Sequence, residues 1–162
     1  MRELVYNAEE WIARQKGVIM RSVRISRQEW RGVFLFAAVI IALTTLPYLI
    51  GWAQQGADWR FSGFLFGVED GFSYLGKMRL GARGILDFYL FYTPEPHARA
   101  ALILLPYILP GWLVGGFVSQ QDPALVTALI LTFHLMRIIF NLLLIAVLYR
   151  FIAVFLRSPR AR

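Results

Sequence analysis

Three runs of apolar residues divide the chain. The first, VFLFAAVIIALTTLPYLIG at 33–51, contains no charged residue. It is close to the roughly 20 residues that cross a bilayer. Trp30 and Trp52 bracket it, as interfacial aromatics do, and Pro47 lies near its far end, where a kink is tolerated. The second run, AALILLPYILPGWLVGGFV at 100–118, is long enough to cross. It also holds Pro106, Pro110, Gly111, Gly115 and Gly116, and each proline deletes a backbone donor. The third run, Ala124 to Leu156, exceeds a single span. Its first half carries His134, Arg137 and Asn141; beyond Ile138 only Asn141, Tyr149 and Arg150 interrupt the apolar sequence. Between the first two runs, VEDGFSYLGKMRLG at 68–81 predicts a short amphipathic helix, with Phe72, Leu75 and Met78 or Arg79 at helical spacing.

Composition changes the class. Of the 162 residues, 58% are hydrophobic and 17% charged, with a mean hydropathy of +0.56, against about 25% charged in a soluble domain. That balance argues against an ordinary water-soluble domain. A chain embedded in lipid must satisfy its own backbone, so the expected class is an all-α integral membrane protein. The absence of cysteine rules out disulfides, thiolate metal sites and a thiol nucleophile. The net charge of +7 could suggest nucleic acid. Most of the charges flank apolar runs, so they read as topology signals and no nucleic-acid partner is expected.

Those charges choose between two topologies. Seven basic residues, Arg2 to Arg31, precede the first run, which begins too late for a cleaved signal peptide. Residues 1–32 therefore read as a basic cytoplasmic segment. It is either a solvated leader or a helix whose weak stripe (Val5, Ala8, Trp11, Ile12, Gln15) lies on the membrane. If all three runs cross, the Arg157, Arg160 and Arg162 tail lies outside, and SQQDP at 119–123 is a cytoplasmic turn without a basic residue. That inverts the positive-inside rule. The favoured reading has two transmembrane helices, with three as the alternative. It places a transmembrane helix at 33–51, an exterior loop with an amphipathic helix at 52–99, and an interfacial or re-entrant helix at 100–118. A long helix with the second span follows at 123–156, then a basic tail at 157–162. The protein is expected to be multi-pass in a bacterial cell membrane, with the lipid bilayer as its first partner.

The exterior loop holds Asp58, Glu69, Asp70, Asp87 and Glu95. Glu69 and Asp70 open the 68–81 helix, where carboxylates suit the helix dipole; a plain N-cap role for Asp70 is the alternative. Lys77 and Arg79 are available for headgroups. In YTPEPHAR at 92–99, Glu95 and His97 form a candidate ligand pair, but no second pair has zinc spacing, so no metal is expected. His134, Arg137 and Asn141 lie at i, i+3 and i+7 and share one helix face. A cation within an apolar span is costly and marks a functional site by default. Arg137 is thus expected to pair with Asp70 or bind a phosphate; a snorkelling arginine is the alternative.

The order of these features resembles the N-terminal part of the GT-C superfamily of membrane glycosyltransferases, which use polyprenyl-phosphate-linked sugars. One span is followed by an acid opening a helix with a tyrosine four residues later (Asp70, Tyr74). Pro96 and His97 then precede an apolar Pro/Gly helix, and Arg137 heads the next span. The likeness covers about residues 33–157. It is nearest to the mannosyl- and aminoarabinose-transferase-like branch and to uncharacterised bacterial relatives with DG-x-SYL-x-KM, here DGFSYLGKM at 70–78. The resemblance implies that Asp70 acts as catalytic base or orients the acceptor, with Glu69 as its neighbour or substitute. It further implies that Arg137 contacts the lipid phosphate and that Lys77 is a weaker phosphate ligand, with His134 and His97 near the substrate and no cofactor. The second acid that the family often places after the aspartate is here Gly71. Members of the superfamily have many more spans, so this chain is expected to be a fragment, or a small protein reusing the start of that fold. It is expected to be inactive alone and to need an oligomer or a missing C-terminal part. The rival reading is a non-catalytic membrane protein that packs against a partner or itself through Gly111, Gly115 and the 124–156 helix.

The charge pattern generates a topology prediction. A reporter active only outside the cytoplasm, fused after Arg162, should stay silent, while the same reporter at residue 56 should be active. Strong activity at the C-terminal fusion would restore three spans.

Overall fold

Ser26 opens the first helix with a reciprocal cap. Its Oγ accepts the Glu29 N–H at 3.2 Å, and its own N–H donates to Glu29 Oε2 at 2.8 Å. This is the S-x-x-E box, and it starts the helix six residues before the apolar run. The computed structural model describes residues 25–87, 94–95 and 104–156. Within them α1 spans Arg27–Ala53, α2 Val68–Ala82, α3 Leu105–Gly115 and α4 Ala124–Phe155. No strand occurs among the described residues. Residues 1–24, with the stripe expected there, and His97 lie outside the described residues.

Helices α1 and α4 have 27 and 32 residues, or about 40 and 48 Å at 1.5 Å per residue. Both are long and apolar enough to cross a membrane, and only 6% of each apolar window is buried. Their side chains therefore face outward, toward lipid or further protein. The start of α4 is set by Asp122, whose Oδ1 accepts the Ala124 N–H at 2.8 Å; Pro123 follows it, where a missing N–H costs nothing. Helix α3 has 11 residues, about 16 Å, well short of a hydrocarbon core of about 30 Å. Pro106 stands in its first turn and Gly116 closes it.

The chain forms two compact units. One comprises residues 37–143; the other comprises residues up to 36 with those from 144 onward. In the first unit α2 and α3 meet backbone to backbone. A Cβ on Gly81 would strike the Ile108 carbonyl, one on Gly111 the Met78 carbonyl, and one on Gly115 the Ala82 carbonyl. Gly111 and Gly115 are thus spent inside the chain, not on the partner face expected for them. The core beside this crossing is built from Phe64, Leu75, Met78, Ala82, Leu125, Leu129 and Ile130. The buried stripe of α2 is Gly71, Leu75, Met78 and Ala82. Phe72, expected on that stripe, is half exposed and meets Phe64 edge-on at 6.0 Å, while Gly71 is the position that lies directly against the Phe64 ring. In the second unit the Trp30 ring stacks on Phe34 and packs on Tyr149, with centroids 5.6 and 5.8 Å apart.

Gly111→Ala should therefore destabilise the α2–α3 pair by about 3 kcal/mol, since backbone cannot yield as a side chain can. Gly76→Ala, where a Cβ meets nothing within 4 Å, should stabilise by up to about 1 kcal/mol through helix propensity. Thermal unfolding in detergent checks both.

Candidate functional site

Arg137 cannot leave its polar head unsatisfied on a largely apolar helix, and α1 supplies the partners. Its Nη1 donates to the Thr44 carbonyl at 3.1 Å and its Nη2 to Thr45 Oγ1 at 2.9 Å. Pro47 lacks the N–H that would close the rung to the Leu43 carbonyl, next to Thr44. The local ladder is therefore depleted of donors where the guanidinium arrives. The guanidinium carbon also lies 4.5 Å from the Tyr48 ring centroid. The His134 ring lies 4.6 Å from the same centroid, so Tyr48 packs against both side chains of the α4 face.

His134 is 8% exposed, and its Nε2 lies 2.8 Å from the Gly63 carbonyl oxygen. A carbonyl only accepts, so Nε2 carries the proton. Trp52, Phe64 and Phe133 surround the ring. Gly63 has φ +88°, and a Cβ there would lie 2.7 Å from the Ile130 side chain, so the loop reaches His134 only with glycine at this position. The structure thus makes His134 an anchor for the loop leading into α2, rather than placing it in the groove described below. Two buried polar atoms, His134 Nδ1 and Arg137 Nε, have no hydrogen-bond partner among the described residues.

Arg137 and Asn141 line a groove of about 360 Å³ between α3 and α4, with Tyr107, Phe133, Met136 and Phe140 as its other main walls. A second, almost wholly apolar groove of about 470 Å³ adds Leu105, Leu109, Pro110 and Ile139, and shares Pro106, Met136 and Phe140 with the first. The two are therefore contiguous. Tyr107 stacks on Tyr74 of α2, with centroids 4.5 Å apart and planes 10° off parallel. Burial first, then the hydrogen-bonded Tyr74 phenol, pushes the Tyr107 hydroxyl above its ordinary pKa. Tyr107 accordingly stays protonated at neutral pH.

Asp70 and Glu69 stand in the first turn of α2 and are exposed. The N-cap is Gly67, in the left-handed conformation at φ 56° and without a side-chain cap bond. The alternative of Asp70 as N-cap is thereby corrected: the carboxylate sits three residues into the helix. It forms no hydrogen bond or ion pair among the described residues, so the expected pairing of Asp70 with Arg137 is also corrected. Thr44 and Thr45 lie closer at hand, and they accept from the two terminal guanidinium nitrogens without burying a second charge. Lys77, two turns along from Asp70, donates to Ser73 Oγ at 3.0 Å and lies 4.9 Å from the Tyr74 ring centroid. Among the described residues no group of three or more acidic or histidine side chains could hold a metal.

No protein-family model, curated protein or solved structure matches the chain.

The arginine contact can be measured. In a double-mutant cycle of Thr45→Val and Arg137→Met, a hydrogen bond to a charged donor should appear as about 1.5–3 kcal/mol of coupling in unfolding free energy. Additive losses would show that the contact carries no stability.

Proposed function

We propose that this chain is an integral membrane protein of a bacterial cell membrane. On this reading it acts as the carrier-binding N-terminal part of a glycosyltransferase using polyprenyl-phosphate sugars. The observation that carries the reading is Arg137 in a groove whose remaining walls are mainly apolar or aromatic and which continues into a second apolar groove. A lipid phosphate needs that combination: a fixed cation for the phosphate and an adjoining slot for the chain. Asp70, with Glu69 beside it, is exposed and unpaired among the described residues. That state suits a general base that must reach an acceptor hydroxyl.

In the proposed reaction the acceptor oxygen attacks the anomeric carbon and Asp70 takes its proton. The bond from that carbon to the phosphate oxygen breaks, and the electron pair leaves with the phosphate. Arg137 stabilises the charge that develops there. Both termini are cytoplasmic and the loop from residue 52 is exterior. Neither groove includes Asp70, and both are open. Transfer therefore requires further helices, or further copies, to enclose the two substrates and exclude water.

A second reading, a helix-packing partner or homo-oligomer without catalysis, is favoured by the outward-facing apolar surface of α1 and α4. Titrating the purified chain with undecaprenyl phosphate separates the two. The first reading expects saturable binding, weakened about 10-fold or more in Arg137→Gln, since a charged hydrogen bond is lost. Asp70→Asn should leave that binding unchanged. No binding, together with a stable cross-linked dimer, would favour the second reading.

A further inference from the structure

Away from Arg137, in the unit formed by residues up to 36 and from 144, the start of α1 and the end of α4 enclose another groove. Its volume is about 470 Å³, and its apolar lining is Gly32, Val33 and Phe36 of α1 with Ile145, Leu148 and Ile152 of α4. Two polar side chains, Glu29 and Tyr149, complete the lining. They are joined: the Tyr149 O–H donates to Glu29 Oε1 at 3.1 Å, and Trp30 packs on the Tyr149 ring. Glu29 therefore does more than cap α1. Its second oxygen holds the Ser26 N–H, while its first is fixed by a residue 120 positions away along the chain.

The groove thus has an apolar length and an anionic, aromatic patch near the start of α1. The space beside Gly32 is open, since a Cβ there would meet nothing within 4 Å. In the membrane reading, on which this inference rests, Glu29 stands just before the apolar run, flanked by Trp30 and Arg31, and Arg150 follows Tyr149. That is the headgroup level.

We infer that this groove binds a phospholipid carrying a primary amine. The acyl chain lies along Gly32, Val33, Phe36 and Ile145, deeper in the bilayer than the Glu29–Tyr149 pair. The ammonium meets the Glu29 carboxylate and the Tyr149 ring, a combination of charge and cation–π attraction. Arg31 and Arg150 are exposed and stand beside these residues in sequence, with the charge that the lipid phosphate requires. A choline headgroup cannot donate a hydrogen bond to the carboxylate, and a glycerol headgroup brings no cation, so both are discriminated against.

Native mass spectrometry of the full chain in detergent tests this. The probe is an equimolar mixture of phosphatidylethanolamine, phosphatidylcholine and phosphatidylglycerol with identical acyl chains. The expected result is retention of the ethanolamine lipid about fivefold over each competitor, the scale of one net hydrogen bond. Glu29→Gln should erase that preference while leaving the helix start intact, because glutamine also serves at this place in the capping box. Gly32→Leu should fill the groove and lower retention of all three lipids. Equal retention of the three by the wild type, unchanged preference in Glu29→Gln, or a wild-type dimer without lipid would overturn the inference. Alkaline extraction of membranes expressing the chain separates this failure from that of the membrane reading. A chain that stays in the pellet without lipid preference refutes the amine-lipid site alone; a chain released into the supernatant refutes both.

Discussion

A guanidinium on an apolar helix is the constraint around which residues 37–143 are organised. Leaving Arg137 unsatisfied in a weakly polar environment would cost far more than any one packing contact returns. The two threonines of α1 and the face of Tyr48 remove most of that cost. They also tie α4 to α1 at the stretch where Pro47 has already interrupted the helix ladder. One turn earlier on α4, His134 reaches across to Gly63 and so sets where the chain re-enters to form α2.

The second organising contact is of another kind. The α2–α3 crossing has no long side chains between its backbones; glycines on both helices allow carbonyls and α-carbons to touch. Such contacts gain dispersion energy over a short length and fix the register closely. This matters for a helix of only 11 residues, which could not hold its place by hydrophobic area alone. Through this crossing Tyr107 comes to lie flat on Tyr74, and the wall of the Arg137 groove is thereby linked to the helix that carries Asp70.

Much of the fold could be read from sequence because it is written in length and polarity. The two long apolar helices, the 68–81 helix and the weakness of the 100–118 run all follow from local composition. Helix α1 began earlier than its apolar run because its start is set by Ser26 and Glu29, a spacing visible in the sequence. The stripe of α2 was less legible: Gly71 and Gly81 are buried by shape rather than by hydrophobicity, so periodicity pointed to Phe72 instead. At the site, Arg137, His134 and Asn141 stood out as polar residues on one face. Their partners did not, because Thr44, Thr45 and Tyr48 look like tolerable interruptions in a span until Arg137 is seen to need them. The aromatic walls, Tyr107 and Phe133, carry no distinguishing mark in a chain with 15% aromatic residues.

The length of α4 has a consequence for any bilayer around it. Arg137 and Arg150 are thirteen positions apart, about 20 Å along a helix axis, whereas the hydrocarbon layer is about 30 Å thick. If α4 crosses such a layer, its two charged levels are too close together for both to sit at opposite surfaces, and tilting the helix would only shorten the gap. The remaining accommodations are a guanidinium held below the surface by α1, or lipid drawn thin beside it. Hydrophobic mismatch would then be concentrated on one side of this helix, where the groove containing Arg137 opens.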